Sequence, residues 1–143
     1  MIAIWIMDQK LIKIFIFTLS FSFVQPQSAK LIWSDEFNGD GSVNSANWFH
    51  QTKLPNGWSW YNGEIQHYTA RTNNSYVSNG TLKIVAKKEA YSDQGHTKQY
   101  TSARLNSKFA FTYGRVEIRA KLPQGAGTWP AIWLLGKNIN ESG

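Results

Sequence analysis

The chain has 143 residues and a formal net charge of +6. It contains no cysteine, which excludes a disulfide framework and a cysteine nucleophile. Its lysines and arginines are scattered along the sequence instead of forming one basic cluster, which argues against nucleic-acid binding. A chain of this length has room for one small hydrophobic core.

The first predicted element is a secretory signal. Lys10 and Lys13 precede an apolar stretch over residues 14–24, and a basic segment followed by roughly 7–15 apolar residues is typical of a signal peptide. We therefore expect residues 1–29 to be a signal peptide with a short polar linker, and residues 30–143 to belong to the folded domain. The protein is then secreted, in the periplasm or outside the cell, with no stable membrane association after cleavage. A buried N-terminal helix and an uncleaved anchor are the alternatives.

Short strands are predicted through the rest of the chain. Residues 81–87 and 114–122 alternate apolar with polar side chains, which is the pattern of a half-buried strand. An apolar run at 31–33 and aromatic residues within 109–113 indicate two more strands. No segment after the leader shows a helical period of useful length. Many short strands favour an all-β sandwich or barrel.

An aromatic run in the last predicted element is a candidate binding surface. Trp129 and Trp133 lie four residues apart in the apolar segment 125–135, which begins at a glycine-rich turn. If this segment is a strand, both rings lie on the same face of it. Aromatic rings gain apolar burial against the C–H faces of sugars. The pattern predicts a carbohydrate platform, with two core tryptophans as the alternative.

Six short motifs occur in a fixed order along the chain. They are Trp-Ser-Asp-Glu-Phe at 33–37, Asn-Gly-Glu-Ile-Gln-His-Tyr-Thr at 62–69, Tyr-Thr-Ser-Ala-Arg-Leu at 100–105, Ser-Lys-Phe at 107–109, Tyr-Gly-Arg-Val-Glu-Ile-Arg-Ala at 113–120 and Gly-Thr-Trp-Pro-Ala-Ile-Trp at 127–133. In this order and spacing they resemble glycoside hydrolase family 16, on its laminarinase (endo-1,3-beta-glucanase) side. The resemblance implies a concanavalin A-like jelly-roll β-sandwich with a cleft on its concave face. It also implies a monomeric enzyme that cleaves a β-glucan polysaccharide internally.

The resemblance further implies hydrolysis with retention, which needs two carboxyl groups about 5–5.5 Å apart. In the family both groups lie on one strand of the form Glu-x-Asp-x-x-Glu or Glu-x-Asp-x-Glu, which follows the Trp-Pro-Ala-Ile-Trp run. The 143 residues contain no Glu-x-Asp pair, so we expect no catalytic residue among them. The chain is expected to be the N-terminal part of such a domain, an incomplete jelly roll that is inactive alone. A non-catalytic glucan-binding sandwich is the alternative.

The expected substrate-binding residues follow from the resemblance: Trp129, Trp133, Asn62, Arg104 and Glu64. Asn62 matches an asparagine that contacts sugar hydroxyls, since an amide both donates and accepts hydrogen bonds. Asn62 is also the first residue of an Asn-Gly turn dipeptide, which is the alternative for it. Arg104 matches an arginine near the subsites for the non-reducing part of the glucan. An ion pair with Glu64 is the alternative for Arg104, and both roles are compatible.

The remaining tryptophans and a metal site complete the predictions. Trp58 and Trp60 are expected either at the cleft rim or packed on the sheet edge, and Trp33 and Trp48 in the core. The resemblance implies a structural calcium in the full-length enzyme, held by main-chain oxygens at the positions of Glu36 and Gly80 and by an Asp near the C-terminus of relatives, so that only two of the ligand positions lie in these 143 residues. Calcium takes about 6–8 oxygen ligands, so we expect no tight site and no other cofactor.

Overall fold

The computed structural model describes residues 1–6 and 29–137. Within these ranges there are ten β-strands and no helix, which confirms the predicted all-β class. The strands are β1 Ile2–Ile6, β2 Lys30–Asp35, β3 Trp48–His50, β4 His67–Tyr68, β5 Ser75–Ser78, β6 Thr81–Ile84, β7 Lys87–Asp93, β8 His96–Ser102, β9 Leu105–Ser107 and β10 Arg115–Ile118. A search of the described residues finds no helix with the length and apolar character needed to cross a membrane.

The first of two compact units consists of Met1–Asp35 and Phe111–Ala120. Its described part is an antiparallel sheet with the strand order β10-β1-β2. Ala3 and Ile4 of the central strand β1 are each 5% exposed. The signal-peptide prediction rests on residues 10–24, which lie outside the described residues, so it stays a prediction.

The second unit consists of Glu36–Ala110 and Lys121–Gly143, of which the structure describes the part up to residue 137. It contains the pair β3-β9, the hairpin β5-β6 and a sheet of order β4-β8-β7 in which β4 runs parallel to β8. Its apolar core contains Phe37, Val43, Trp48, Leu54, Trp60, Val77 and Ala103, each less than 9% exposed. The predicted burial of Trp48 is therefore confirmed, while Trp33, in the first unit, is only half-buried.

A partly buried polar network connects the turn before β5 with β7 and β8 in the second unit. Asn74 and Thr101 are both fully buried, and the Asn74 side-chain amide donates to Thr101 Oγ1 over 3.0 Å. Arg71 donates to the carboxylate of Glu89 and, over 3.0 Å, to Asn74 Oδ1. Thr101 also donates to the Glu89 carboxylate. Because buried polar groups are costly unless they are paired, this network fixes how the three strands meet.

The strands are shorter than the sequence pattern predicts. The segments 81–87 and 114–122 form strands only over Thr81–Ile84 and Arg115–Ile118, and the strand that precedes β10 is Leu105–Ser107 instead of 109–113. The expectation that 125–135 is a strand is wrong. No described residue forms a ladder with this segment, and a strand persists only where its backbone groups are paired.

Candidate functional site

Arg104 lies just after β8, where the chain passes to β9. Its carbonyl oxygen accepts a hydrogen bond from Gln51 N over 2.9 Å, which continues the β3-β9 ladder by one step. Its side chain returns to the same residue, because Arg104 Nε donates to Gln51 Oε1. Gln51 is only 6% exposed. Arg104 is therefore held to β3 through both its backbone and its side chain.

Two tryptophan rings pack against the Arg104 guanidinium. Its central carbon lies 4.6 Å from the ring centroid of Trp133 and 5.3 Å from that of Trp60. Both distances are within the range of a cation–π interaction. Trp60 is 4% exposed, whereas Trp133 is 52% exposed. One ring thus supports the guanidinium from the core, and the other offers an accessible aromatic surface beside it.

Trp60 links this group to Tyr68 of β4. The two rings meet edge to face, with 4.8 Å between their centroids and 68° between their planes. The Trp60 indole Nε1 is buried and has no hydrogen-bond partner among the described residues. The position of Trp60 is therefore set by ring packing.

Glu64, just before β4, accepts two hydrogen bonds from residues close to it in the chain. Tyr68 OH donates to its carboxylate over 2.8 Å and Gln66 Nε2 over 3.1 Å. Burial, and then the hydrogen bond and negative charge of Glu64, raise the pKa of Tyr68, so the phenol stays protonated and remains a donor. The positive charge of Arg104 acts on the same phenol in the opposite sense. Glu64 and Arg104 therefore share one electrostatic environment around Tyr68.

Lys98 lies near the same carboxylate. Burial lowers its pKa, and the negative charge of Glu64 opposes that shift. The Lys98 ammonium donates to Gln66 O over 3.3 Å. The resulting sequence of contacts runs from Lys98 and Glu64 through the aromatic pair to Arg104.

The structure brings some of the predicted residues together and leaves others apart. Arg104, Trp133 and Glu64 belong to the contacts above. Asn62 adopts a left-handed φ of 60° in an exposed turn with Gly63, and Trp129 is 79% exposed; neither takes part in those contacts. With both rings exposed, Trp129 and Trp133 are not core tryptophans.

Three residues of the group were missed or left open by sequence reasoning. Tyr68 lies in the motif at 62–69, at the two-residue spacing that places it on the same side as Glu64 and Gln66, and that spacing could have identified it. Trp60 was expected either at the cleft rim or packed on the sheet edge. The structure buries it against Tyr68 and Arg104. Gln51 has no sequence signal, because its contact with Arg104 depends on the pairing of β3 with β9.

The positions at which the resemblance places a calcium ion are Glu36 and Gly80. Glu36 and Gly80 are exposed, and their two main-chain oxygens are fewer than the about 6–8 ligands that calcium takes. Residues 1–6 and 29–137 contain no group of three or more His, Cys, Asp or Glu side chains that could hold a metal. A structural calcium at these positions stays a prediction.

Comparison with known proteins identifies a consistent set of relatives. The family model for glycosyl hydrolases family 16 matches residues 62–142. The chain is 43% identical over 118 residues to glucan endo-1,3-beta-glucosidase A1 of Niallia circulans, covering 76% of this chain and 17% of that protein. It is 47% identical over 109 residues to a beta-glucanase of Rhodothermus marinus, covering 74% of this chain and 36% of the relative.

A solved structure supports the same relationship. The crystal structure of a LamA variant from Z. galactanivorans, in complex with laminaritriose and laminaritetraose, aligns with a TM-score of 0.56 and 58% identity over 57% of this chain and 33% of that chain. This likeness confirms the predicted jelly-roll sandwich class. The chain spans well under half the length of the relatives and the structure it matches.

Proposed function

This chain belongs to the glycosyl hydrolases of family 16, and from that premise we propose that it carries a glucan-binding wall of a secreted endo-β-glucanase. The whole enzyme hydrolyses internal β-1,3 or mixed-linked bonds of a β-glucan with retention of configuration. The 143-residue polypeptide contributes substrate binding and does not hydrolyse glucan alone. The complete enzyme acts as a monomer.

The observation that carries this proposal is the Arg104 guanidinium against the half-exposed ring of Trp133, at 4.6 Å. The apolar face of a sugar packs on such a ring. The planar guanidinium beside it presents several N–H donors in a fixed fork, which suits neighbouring sugar hydroxyls. A flat apolar surface next to a directional donor group is the combination that a pyranose requires.

The choice of glucan as the ligand is supported by the relatives. The two curated relatives are a glucan endo-1,3-beta-glucosidase and a beta-glucanase. The LamA structure was solved with laminaritriose and laminaritetraose, and it shares 58% identity with the aligned part of this chain. We therefore propose a β-1,3-linked glucan as the preferred ligand, with mixed-linked glucan as the second.

The proposed lack of hydrolysis by this polypeptide follows from its carboxylates. A retaining mechanism needs a nucleophile and a separate acid, both carboxyl groups and about 5–5.5 Å apart. Glu64, which belongs to the contacts described around Tyr68 and Arg104, accepts hydrogen bonds from Tyr68 and Gln66. The sequence contains no Glu-x-Asp pair. Glu64 then acts by orienting Tyr68 and not as a nucleophile.

Two measurements on the purified 143-residue chain test the proposal. Calorimetric titration with laminaritetraose is expected to give saturable binding, and the α-linked maltotetraose, as matched ligand, is expected to give none. Incubation with laminarin is expected to release no reducing ends above a buffer control. Equal binding of the two sugars contradicts the glucan-binding role, and release of reducing ends contradicts the proposed absence of hydrolysis.

A non-catalytic glucan-binding protein is the alternative to an enzyme, and the exposed rings of Trp129 and Trp133 suit both. The coding sequence beyond the Gly143 codon separates them. A continuing frame that encodes Glu-x-Asp-x-x-Glu supports the hydrolase. A frame that continues through a comparable sandwich without that strand supports the binding protein.

We also propose secretion, with support from the basic and then apolar sequence over residues 10–24. Cleavage after this segment also removes β1, which pairs with β2 and β10. N-terminal sequencing of the exported product tests this directly. A new N-terminus between residues 22 and 29 is the expected result, and an exported product that still contains residues 10–24 contradicts it.

A further inference from the structure

The β7-β8 hairpin holds the loop that leads to Trp60. At the tip of this hairpin, Gln94 Oε1 accepts a hydrogen bond from Leu54 N over 2.9 Å, and Gln94 Nε2 donates to Thr52 O over 3.0 Å. A carbonyl and the N–H group two residues later point to the same side of an extended segment. A primary amide presents an acceptor and a donor side by side. This one side chain therefore pairs with the loop as a neighbouring strand does.

A second side chain of the same hairpin supports the middle of the loop. His96 Nε2 donates to Gly57 O over 3.1 Å. Within the loop, Asn56 Oδ1 accepts hydrogen bonds from the N–H groups of Trp58, over 3.3 Å, and Ser59, over 2.8 Å. The backbone from 52 to 59 is thus tied down at its start by Gln94, at its centre by His96 and internally by Asn56.

The backbone of Gln94 indicates that its side chain has a specific task. In the part of the chain that the structure describes, two hairpins have two-residue turns with positive φ at both positions: Asn79-Gly80, at 50° and 65°, and Gln94-Gly95, at 52° and 80°. Such turns favour asparagine or aspartate in the first position, because the left-handed conformation is unfavourable for most side chains with a Cβ. Asn79 follows this preference and Gln94 does not. Glutamine is longer than asparagine by one methylene, which is the extra reach that the contacts with Thr52 and Leu54 require.

The loop that Gln94 holds presents aromatic rings on an anchored backbone. Within the loop, Leu54 is 2% exposed and Trp60 is 4% exposed, so these two side chains pack into the core. Between and beside them, Trp58 and Tyr61 are each 63% exposed. Trp60 itself packs against the Arg104 guanidinium. A fixed backbone lowers the entropic cost of binding through exposed rings.

We propose that Gln94 is a positioning residue for the glucan site. Its side-chain amide holds the loop 52–61 in the conformation in which Trp58 and Tyr61 contact the sugar chain and Trp60 supports Arg104. His96 assists at Gly57. This role rests on the proposed glucan-binding function, and Gln94 itself does not touch the sugar.

Three variants of the 143-residue chain separate positioning from plain stability. Gln94→Asn suits the left-handed turn but is too short to reach the loop. Gln94→Met keeps the length and the unfavourable backbone but removes both hydrogen bonds. Asn79→Gln, the matched control, places the unfavourable residue in the other hairpin, which does not contact this loop through that side chain.

The expected results differ between affinity and stability. Both Gln94 variants lower the affinity for laminaritetraose about fivefold, by the ordering cost of a loop no longer fixed before binding. The thermal midpoint holds or rises for Gln94→Asn and falls for Gln94→Met and for Asn79→Gln, while Asn79→Gln binds like wild type. In hydrogen exchange, the Leu54 amide exchanges faster in both Gln94 variants than in wild type.

Different outcomes refute different statements. If wild type binds laminaritetraose and Gln94→Asn binds equally well, the positioning role is wrong. It is also wrong if affinity falls in step with the thermal midpoint in all three variants, or if exchange at Leu54 is unchanged. If wild type itself does not bind laminaritetraose, the proposed function fails, and the sugar-contacting role of the loop fails with it.

Discussion

Arg71 and Arg104 are two arginines of the same compact unit, and their surroundings assign them to different tasks. The Arg71 guanidinium lies 4.4 Å from the ring centroid of Tyr91. It pairs with Glu89 and donates to Asn74 and Thr101. Glu89 and Tyr91 lie in β7, Thr101 lies in β8 and Asn74 lies in the turn before β5, and Asn74 and Thr101 are fully buried.

The contacts described for Arg104 have another character. Its guanidinium packs against one buried and one half-exposed tryptophan ring, and its Nε donates to the amide of Gln51. Only one of these three partners, Trp133, is open to solvent, and that partner is aromatic. The comparison supports a division in which Arg71 stabilises the fold through polar partners, whereas Arg104, beside an exposed ring, belongs to the proposed glucan surface. Four predictions test this division.

The largest effect is expected for Arg71→Ala. Its removal takes away one of the donors to each of Glu89, Asn74 and Thr101, and the loss of such hydrogen bonds from a partly buried network costs roughly 2–3 kcal/mol of unfolding free energy. The thermal midpoint, measured by circular dichroism, is expected to fall. Where the variant is folded, its affinity for laminaritetraose is expected to match wild type, and a stable variant with lost binding contradicts the division.

The second effect is expected for Arg104→Ala. An arginine at the centre of a binding surface typically contributes about 2 kcal/mol, so the affinity for laminaritetraose should fall about 30-fold. Calorimetric titration measures it, with Arg104→Lys as the matched variant. Lysine keeps the charge and loses the planar fork, so it is expected to recover only a small part of the affinity. Full recovery shows that charge alone is sufficient.

The third effect is expected for Trp133→Ala. A stacked ring contributes about 0.5–1.5 kcal/mol beyond its buried area, which corresponds to a loss of affinity of roughly fivefold. The thermal midpoint should change little, since the ring is 52% exposed. Trp60→Ala is the contrasting variant, because removal of a ring that is 4% exposed should lower stability first. Equal stability losses for the two variants contradict the assignment of Trp133 to the ligand surface.

The smallest effect is expected on acidification. Hydrogen bonds from Thr101 and then Arg71 lower the pKa of Glu89 below its usual 4.5. The unfolded chain therefore takes up the proton first as the pH falls, and the stability that Glu89 provides is present above about pH 4.5 and is lost as the pH drops through the lower pKa of the folded state. Thermal midpoints of wild type and Glu89→Gln measured from pH 7 to pH 3 should converge. Parallel curves contradict this linkage.

The sequence predicted the class of the fold better than the extent of its strands. Period-two alternation found β6 and β10 but overextended both, because alternation reports which side chains share a face and not where a partner strand ends. The segment 125–135 shows the limit most clearly. Its apolar character predicts a strand, yet no described neighbour pairs with it, and Trp129 and Trp133 are exposed.

The candidate site was predictable in part. Arg104, Trp133 and Glu64 were identified through the motifs that contain them, and the structure places them in one connected group. Gln51 was not predicted, because glutamine is common in loops and its function here depends on a strand far along the chain. Gln94 was missed for the same reason, although its place before Gly95 marks an unusual turn.

By itself, the sequence determined that this protein is all-β and that it belongs to family 16, because alternation and short motifs are properties of neighbouring residues. It also determined the absence of a Glu-x-Asp pair from these 143 residues. Only the tertiary structure decided that the Arg104 guanidinium packs against one buried and one exposed tryptophan ring. It also decided that Gln94, at the tip of the β7-β8 hairpin, holds the loop 52–61. These contacts join residues far apart in the chain, and strand pairing and side-chain packing bring them together.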